Sequence, residues 1–334
     1  MSKYLGTQSL PAGLALAASV VCGMGLSAAD LRIGIIGCDT SHATAFTETL
    51  NNPAAKGHLA GGKVVAAFKG GSPDVEESAR RVDQYARTLA EKYGVKFYDR
   101  IEDLCQNVDV VLLESVDGRP HLEQVKPVLK ARKPVFVDKP MAGSLQDVLE
   151  VFRLAREANV PVFSSSALRF ATNTQAVHNG SLGKITYAET YGPCELEPHV
   201  PDLFWYGVHG VEALYTVMGT GCDTVQRGKT AAGKIEVIGT WRDGRKGIFR
   251  EDKAFHGLAR GEKGEAPVGS FDGYVPLLVE IMKFFQTGVA PVKPEETIEI
   301  FAFMEAADAS KRLGGAPVKI ADILKQHGAG THAP

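Results

Sequence analysis

The chain has 334 residues, of which 44% are apolar and 23% charged, as expected for a globular protein large enough to form two domains. Its formal net charge of −2 at pH 7 argues against a basic surface for nucleic acid or an anionic membrane. Neither an internal repeat nor a low-complexity tract is apparent.

Residues 1–29 have the pattern of a secretory signal peptide. Lys3 supplies a positive charge, an apolar stretch covers residues 14–26, and small residues at 27–29 precede Asp30 as a cleavage site. The stretch is short for a bilayer span, and no twin arginine occurs within residues 1–29. We expect export as an unfolded chain, to a periplasmic location, and no membrane span in the mature protein.

Short apolar runs alternate with helical patterns over residues 30–163. Ser72-Pro73-Asp74 and Ser144 have the features of helix N-termini. The alternation predicts an α/β fold, with a Rossmann-type doubly wound parallel sheet as the N-terminal domain. The predicted strands cover residues 33–36, 64–68, 96–98, 108–113, 135–137 and 161–164.

Residues 164–330 have a different pattern, with strands at wider spacing. They predict an α+β domain with a mainly antiparallel sheet, serving substrate binding and oligomerisation. The predicted strands cover residues 186–191, 236–241 and 246–250, and the predicted helices cover 210–218, 274–286 and 297–313.

Cys22 lies in the predicted signal peptide, and four further cysteines show no C-x-x-C spacing. A cysteine-based zinc site is therefore not expected. Export permits disulfides, but the spacing does not require them, so buried free thiols are the simplest interpretation.

Four segments occur in an order that carries a resemblance: RIGIIGCDTSH at the first predicted turn, VFVDKPMAGS at 135–144, SLGKI at 181–185 and WYGVHGVEALYTVMG at 205–219. Together they resemble the Gfo/Idh/MocA family of sugar and polyol oxidoreductases. The resemblance implies a Rossmann domain that binds NAD or NADP and a small-molecule carbohydrate substrate. It also implies a homo-oligomer, either a dimer or a tetramer.

The resemblance implies two catalytic residues. Lys139 matches the lysine of an acid-Lys-Pro motif, which helps to polarise or protonate the reacting oxygen. His209 matches the histidine that exchanges a proton with the substrate hydroxyl. Trp205 stands where the family pattern has an aspartate, so Glu212, one helical turn after His209, is a candidate to orient the imidazole.

The predicted phosphate loop, residues 37–42, departs from the G-x-G-x-x-G pattern. Gly37 occupies the first position, but Asp39 and His42 stand in place of the second and third glycines. A carboxylate at ~5 Å from a phosphate costs about 3 kcal/mol at an effective dielectric constant of ~20. Amides next to Thr40 and Ser41 could still receive an anion.

The end of the second predicted strand carries Lys69, where an acid usually meets the ribose. Lys69 would favour NADP if it accepts a 2′-phosphate, or it is a solvated loop lysine. Glu114 and Asp117 are candidates for sugar hydroxyls, a cation or the ribose, or for turn formation. The complete predicted cofactor set is Gly37, Cys38, Asp39, Thr40, Ser41, His42, Lys69, Ser115 and His121.

The predicted substrate-binding residues are Arg169, Glu195, His199, Trp205 and Tyr206. In a strand, Glu195, Glu197 and His199 would share one face. Together with Asp202 and His209 they could hold a divalent metal. The alternative that we prefer is an acidic substrate loop without a metal, in which Trp205 and Tyr206 stack on a sugar ring.

These features predict an NAD(P)-dependent oxidoreductase acting on a sugar, a polyol or a derivative. Export weighs against it, because free nicotinamide cofactor is not expected outside the cytoplasm. The alternative is a redox-neutral carbohydrate-active enzyme, a hydrolase, lyase or isomerase that has lost cofactor binding on the same scaffold. A third hypothesis is a carbohydrate-binding protein without catalysis.

Overall fold

The computed structural model describes residues 30–329, together with Met1. The predicted signal peptide at 1–29 therefore lies outside the described residues, apart from Met1. None of the described helices has the length and apolarity that crossing a membrane requires.

The first sheet has six parallel strands in the order β3-β2-β1-β4-β5-β6, which confirms the predicted fold class. Its strands are β1 (Leu31–Ile36), β2 (Gly62–Phe68), β3 (Lys96–Phe97), β4 (Val110–Leu113), β5 (Val135–Val137) and β6 (Val162–Ser164). The helices between them are α1 (Ser41–Asn51), α2 (Glu76–Tyr93), α3 (Ile101–Gln106), α4 (His121–Lys130) and α5 (Leu145–Ala158).

The order in which successive strands are added to this parallel sheet reverses between β1 and β4. β1 pairs with β2 on one side and with β4 on the other, and every residue of β4 and β5 is buried. Continuous apolar strands of this kind are required where helices cover both faces of a sheet. In such sheets the ligand crevice lies at the carboxyl ends of the strands, at the point of reversal.

One of the two predicted helix starts is confirmed. The Ser144 hydroxyl accepts a hydrogen bond from the Asp147 amide at 3.1 Å and caps α5. The prediction of a cap at Ser72 is wrong, because α2 begins at Glu76 with Val75 as its N-cap. The Ser72 hydroxyl instead donates a hydrogen bond to Asp117 at 2.7 Å, so a tertiary contact takes the place of the local cap.

The second sheet has seven strands in the order β12-β11-β7-β10-β9-β8-β13. It is mainly antiparallel, with one parallel pair, β7 and β10. Its strands are β7 (Ile185–Gly192), β8 (Cys222–Lys229), β9 (Ile235–Trp241), β10 (Lys246–Glu251), β11 (His256–Gly261), β12 (Gly264–Pro267) and β13 (Val318–Lys319).

Helices α6 (Thr172–His178), α7 (Gly207–Met218), α8 (Val275–Thr287), α9 (Pro294–Arg312) and α10 (Ile320–Gln326), and a 3-10 helix at Ala167–Phe170, complete the fold. α7 packs on β7 and β10, and α9 packs on β8. A Cβ atom on Gly210 would lie 2.4 Å from the Phe249 ring. Glycine at this position therefore allows α7, and His209 with it, to approach the sheet closely.

The four cysteines of the described residues are buried free thiols, as the spacing had suggested. They lie in different elements of the two domains. Burial raises the pKa of Cys38, Cys194 and Cys222 to about 12 and that of Cys105 to about 11.

Candidate active site

A cavity of about 170 Å³ opens at the carboxyl edge of the parallel sheet. Its walls come from the start of α1, the loop after β5 and the start of α7, with further residues from α2 and the segment before α8. Seven of the predicted site residues line it: Thr40, Ser41, His42, Lys139, Trp205, Tyr206 and His209.

Lys139 enters the cavity from the loop after β5. Its Nζ atom lies 5.3 Å from the centroid of the Tyr206 ring, in a cation–π contact. Burial lowers the pKa of Lys139, and the negative charges of Asp138 and Glu77 act in the opposite direction. The side chain therefore brings a partly desolvated ammonium group to the wall of the cavity.

His209 enters from the first turn of α7. Its Nδ1 atom lies 2.7 Å from the Ser166 hydroxyl oxygen, and its ring contacts Phe255 and Tyr206. Burial, followed by the positive charges of Lys139 and His42, holds the pKa of His209 well below its ordinary value. The imidazole is therefore neutral near pH 7 and able to accept a proton.

Glu212 does not contact His209 directly, so the expectation that it orients the ring is wrong. Its carboxylate accepts hydrogen bonds from the Ser165 hydroxyl at 2.6 Å and from the Ser166 amide at 2.7 Å. The Ser166 hydroxyl in turn contacts His209. Glu212 thus fixes the segment that carries the imidazole's partner.

Arg169 lies outside the residues that line the cavity. Its Nε donates to Glu212 at 2.7 Å and its Nη2 to Glu296 at 2.6 Å, and the side chain is 4% exposed. Two carboxylates neutralise the guanidinium. This geometry gives Arg169 a structural part and leaves no free charge for the substrate anion that the sequence suggested.

Residues 195–199 have no regular secondary structure, so they form a loop, and not the strand in which Glu195, Glu197 and His199 would share one face. Glu195 and His199 lie outside the cavity lining. The His199 ring contacts Glu197 at 2.5 Å. Asp202 points elsewhere, to Arg227 at 2.9 Å and Lys311 at 2.6 Å, so the proposed acidic and histidine cluster around His209 is not formed.

The phosphate loop packs directly against the loop after β4. Gly37 has a φ of +91°, in the left-handed region. A Cβ atom there would lie 2.3 Å from the Ser115 amide nitrogen. Only glycine fits this position, for both reasons.

The Asp39 carboxylate is fully buried and points inward. One oxygen accepts from the Ser78 hydroxyl at 2.6 Å and the other from the Val116 amide at 3.1 Å. Burial raises the pKa of Asp39, and these hydrogen bonds oppose that shift. Together with the Ser72–Asp117 bond, these contacts span the crevice between the loops that follow β1, β2 and β4.

The remaining predicted cofactor residues do not line the cavity. Cys38, Ser115 and His121 are buried. The Ser115 hydroxyl donates to Gln124 at 2.9 Å, and the His121 ring contacts the Ser115 and Met141 carbonyl oxygens. Lys69 is half-exposed and forms an ion pair with Asp83.

Sequence reasoning missed several residues of the cavity wall. These are Glu77, Arg81, Phe255, Phe271 and Tyr274. The i,i+4 pair of Glu77 and Arg81 reads as an ordinary solvent-exposed helix pair. If the start of α2 had been predicted at Glu76, Glu77 and Arg81 would have been expected at the crevice. The reason is that helices of such folds begin at the carboxyl edge of the sheet.

The contacts of Asp138 were also missed. Its Oδ2 atom lies 2.6 Å from His42 Nδ1, and Glu114 Oε2 lies 3.8 Å from the same nitrogen. All three side chains are buried, and His42 also lines the cavity.

Residues 31–166 match the family model described as "Oxidoreductase family, NAD-binding Rossmann fold", that of Gfo/Idh/MocA. The similarity to the Gfo/Idh/MocA family thus covers the part of the chain that forms the parallel sheet. A myo-inositol 2-dehydrogenase of Thermotoga maritima is 37% identical over 105 residues, which cover 29% of this chain and 31% of the relative. The match thus spans about a third of that relative's length.

Solved structures of similar fold extend the comparison to both domains. A probable dehydrogenase from Thermotoga maritima has a TM-score of 0.69 at 22% identity, and covers 88% of this chain and 100% of its own. An Agrobacterium radiobacter oxidoreductase in complex with NAD+, L-tartaric acid and magnesium has a TM-score of 0.68 at 15% identity, covering 88% and 100%. At these identities the likeness concerns the fold alone.

The description of the matched family model names NAD as the ligand of this Rossmann fold. The α1 N-terminus, with Thr40 as its cap, offers amides to an anion. The cavity of about 170 Å³ is smaller than the ~300–1,000 Å³ of typical ligand pockets. In folds of this kind the dinucleotide binds at this crevice, which the hydrogen bonds of Asp39 and Ser72 cross.

Proposed function

We propose that this protein is an NAD(P)-dependent oxidoreductase that acts on a polyol or a sugar. The observation that supports this function is the meeting of Lys139 and His209 in one cavity at the carboxyl edge of the parallel sheet. The similarity to a myo-inositol 2-dehydrogenase supports the polyol class. The size of the cavity is consistent with a single ring of that class.

Two residues of the cavity act on the reacting hydroxyl, and two others contact the substrate ring. Neutral His209, held by Ser166 at 2.7 Å, accepts the proton of the reacting hydroxyl. The Lys139 ammonium stabilises the negative charge that grows on the same oxygen. Trp205 and Tyr206, which line the cavity, cover the apolar face of the ring and exclude water.

The decisive experiment is a titration of the mature protein, from Asp30 onward, with NAD, NADP and their reduced forms. We expect one of the four to bind. Asp39→Gly should bind it at least tenfold more tightly, because it removes both the bridge across the crevice and a carboxylate near the phosphates. Asp99→Gly, at an exposed position, is the matched control and should bind like the wild type.

Absence of binding by the wild type at millimolar concentrations of all four cofactors would overturn NAD(P) dependence. If Asp39→Gly bound a cofactor and the wild type did not, the scaffold would be able to bind it, and Asp39 would be what prevents binding in the wild type.

The closed crevice favours a second candidate, a redox-neutral reaction on a keto-sugar or cyclitol ketone. Here His209 would remove a proton from a hydroxyl-bearing carbon next to the carbonyl, and Lys139 would stabilise the resulting enediolate oxygen. The proton then returns to the former carbonyl carbon, while the proton of the neighbouring hydroxyl passes to the enediolate oxygen. The carbonyl group thereby moves by one carbon without an oxidant. Exchange of that hydrogen for deuterium in D₂O, without added cofactor and abolished by His209→Asn, would support it; no exchange would reject it.

A further inference from the structure

Three ionisable side chains converge beneath the floor of the cavity from three separate elements. His42 comes from α1, Glu114 directly follows β4, and Asp138 directly follows β5. One nitrogen or oxygen atom of each lies within 4.8 Å of those of the other two. The parallel sheet brings them together, because the carboxyl ends of β4 and β5 are neighbours in it.

The buried side chain of Glu114 indicates that this cluster lacks a bound group. The residue is 0% exposed, yet neither of its carboxylate oxygens has a hydrogen-bond partner among the described residues. A buried carboxylate without a partner is strongly unfavourable. The side chain nevertheless lies with one oxygen 3.8 Å from His42 Nδ1, towards the other two groups.

We propose that His42, Glu114 and Asp138 bind one divalent transition-metal ion, of the Mn²⁺ or Zn²⁺ class. One imidazole nitrogen and two carboxylate oxygens form a donor set that suits these ions. Two ligand atoms at ~2.1 Å from one ion lie up to ~4.2 Å apart, which accommodates the 3.8 Å between His42 and Glu114. The 2.6 Å contact between His42 and Asp138 lengthens as the ion replaces the proton there.

The surroundings support these ligands. The Lys139 amide donates to the other Asp138 oxygen at 2.9 Å, so Asp138 has one oxygen fixed and one directed at the cluster. Outer contacts of this kind orient metal ligands. The His42 ring is further held between Phe46 and Tyr274, at centroid distances of 5.3 and 4.4 Å.

The site does not depend on the proposed function. His42 lines the cavity while its Nδ1 atom contacts Asp138. An ion there would place positive charge directly below the substrate cavity, in either an oxidoreductase or a redox-neutral enzyme. The competing occupant is a proton, held between Glu114 and Asp138.

The test is a titration of the mature protein, dialysed against a chelator, with MnCl₂ and with ZnCl₂ in isothermal calorimetry at pH 7. We expect one equivalent of at least one ion per chain. Glu114→Gln and Asp138→Asn should each weaken its affinity at least 100-fold. Glu77→Gln, which changes a carboxylate of the cavity wall outside the cluster, should bind as the wild type does.

Titration with Co²⁺ gives an independent readout, since its visible absorption reports coordination. The wild type should develop the bands and His42→Asn should not, with folding of each variant confirmed by circular dichroism. Absence of stoichiometric binding by the wild type, or equal affinity in wild type and Glu114→Gln, would overturn the proposal. Either of these two results would leave a proton, shared by Glu114 and Asp138, as the occupant of the cluster.

Discussion

At the residue scale, the neutral state of His209 makes stability depend on pH. Its pKa in the folded protein is lowered, so the unfolded chain binds a proton that the folded one does not. The stability associated with neutral His209 is present above the ordinary value of about 6.5 and declines as the pH falls below it. The contribution is at most about 1.4 kcal/mol per pH unit.

His209→Asn should therefore reduce the loss of unfolding free energy between pH 7 and pH 5 by about 1–2 kcal/mol. Urea denaturation at the two pH values measures it. An unchanged pH dependence in His209→Asn would mean that this imidazole is not held neutral.

Lys139→Met should lower kcat at least 100-fold, with a smaller effect on KM, because the ammonium acts on charge that develops in the transition state. The substrate is whichever polyol or keto-sugar is turned over by the wild type. Lys126→Met changes an exposed lysine on α4 and should retain full activity. An increase in KM with an unchanged kcat would mean that Lys139 contributes to substrate binding only.

Motif reasoning located Lys139, His209, Trp205 and Tyr206, because each lies where the chain must reach the crevice. It could not determine the direction of Asp39. That side chain points inward because the Ser78 hydroxyl and the Val116 amide, 39 and 77 positions away, donate hydrogen bonds to its carboxylate. A local pattern contains no information about such partners.

At the element scale, the pair of Arg169 and Glu212 ties the 3-10 helix at Ala167–Phe170 to α7. Both side chains are almost fully buried, at 4% and 6% exposure. Removing one partner leaves an uncompensated buried charge, so Arg169→Met should lower the free energy of unfolding by about 3–5 kcal/mol.

Chemical denaturation checks this value. Arg153→Met removes an exposed i,i+4 partner of Glu157 and should change stability by about 0.5 kcal/mol or less. Equal effects of the two variants would show that burial adds nothing to the Arg169 pair.

Elements were predictable where apolar residues set the period and were missed where they did not. β8, with the sequence CDTVQRGK, has few apolar residues, and β11, HGLARG, is mostly half-buried or exposed. Their place in the sheet comes from pairing with β9 and β7. Strand propensity is weak evidence where cross-strand partners decide.

At the scale of the whole molecule, the succession of a parallel and a mainly antiparallel sheet was predictable, because the spacing of strands changes after residue 164. The closing of the crevice was not, since it depends on bonds between loops that follow three different strands. The second sheet's parallel pair, β7 and β10, was also beyond a local pattern.

The signal peptide predicted at residues 1–29 concerns the location of the whole molecule, and we propose export to the periplasm. Expression of the full chain in a bacterium should give a mature protein in the periplasmic fraction, with Asp30 as its first residue by N-terminal sequencing. Replacing apolar residues of 14–26 with charged ones should retain the protein inside the cell. A cytoplasmic product that begins at residue 1 or 2 would contradict export.

The reactivity of the four buried thiols, Cys38, Cys105, Cys194 and Cys222, would report local opening of the fold. Because they lie in both domains, an alkylating reagent reaches all of them only when each domain opens. Labelling in the native state should be slow, and mass spectrometry of partly labelled protein should show which domain opens first. Rapid labelling of Cys38 alone would place the loosest part of the molecule at the phosphate loop, where a nucleotide would have to enter.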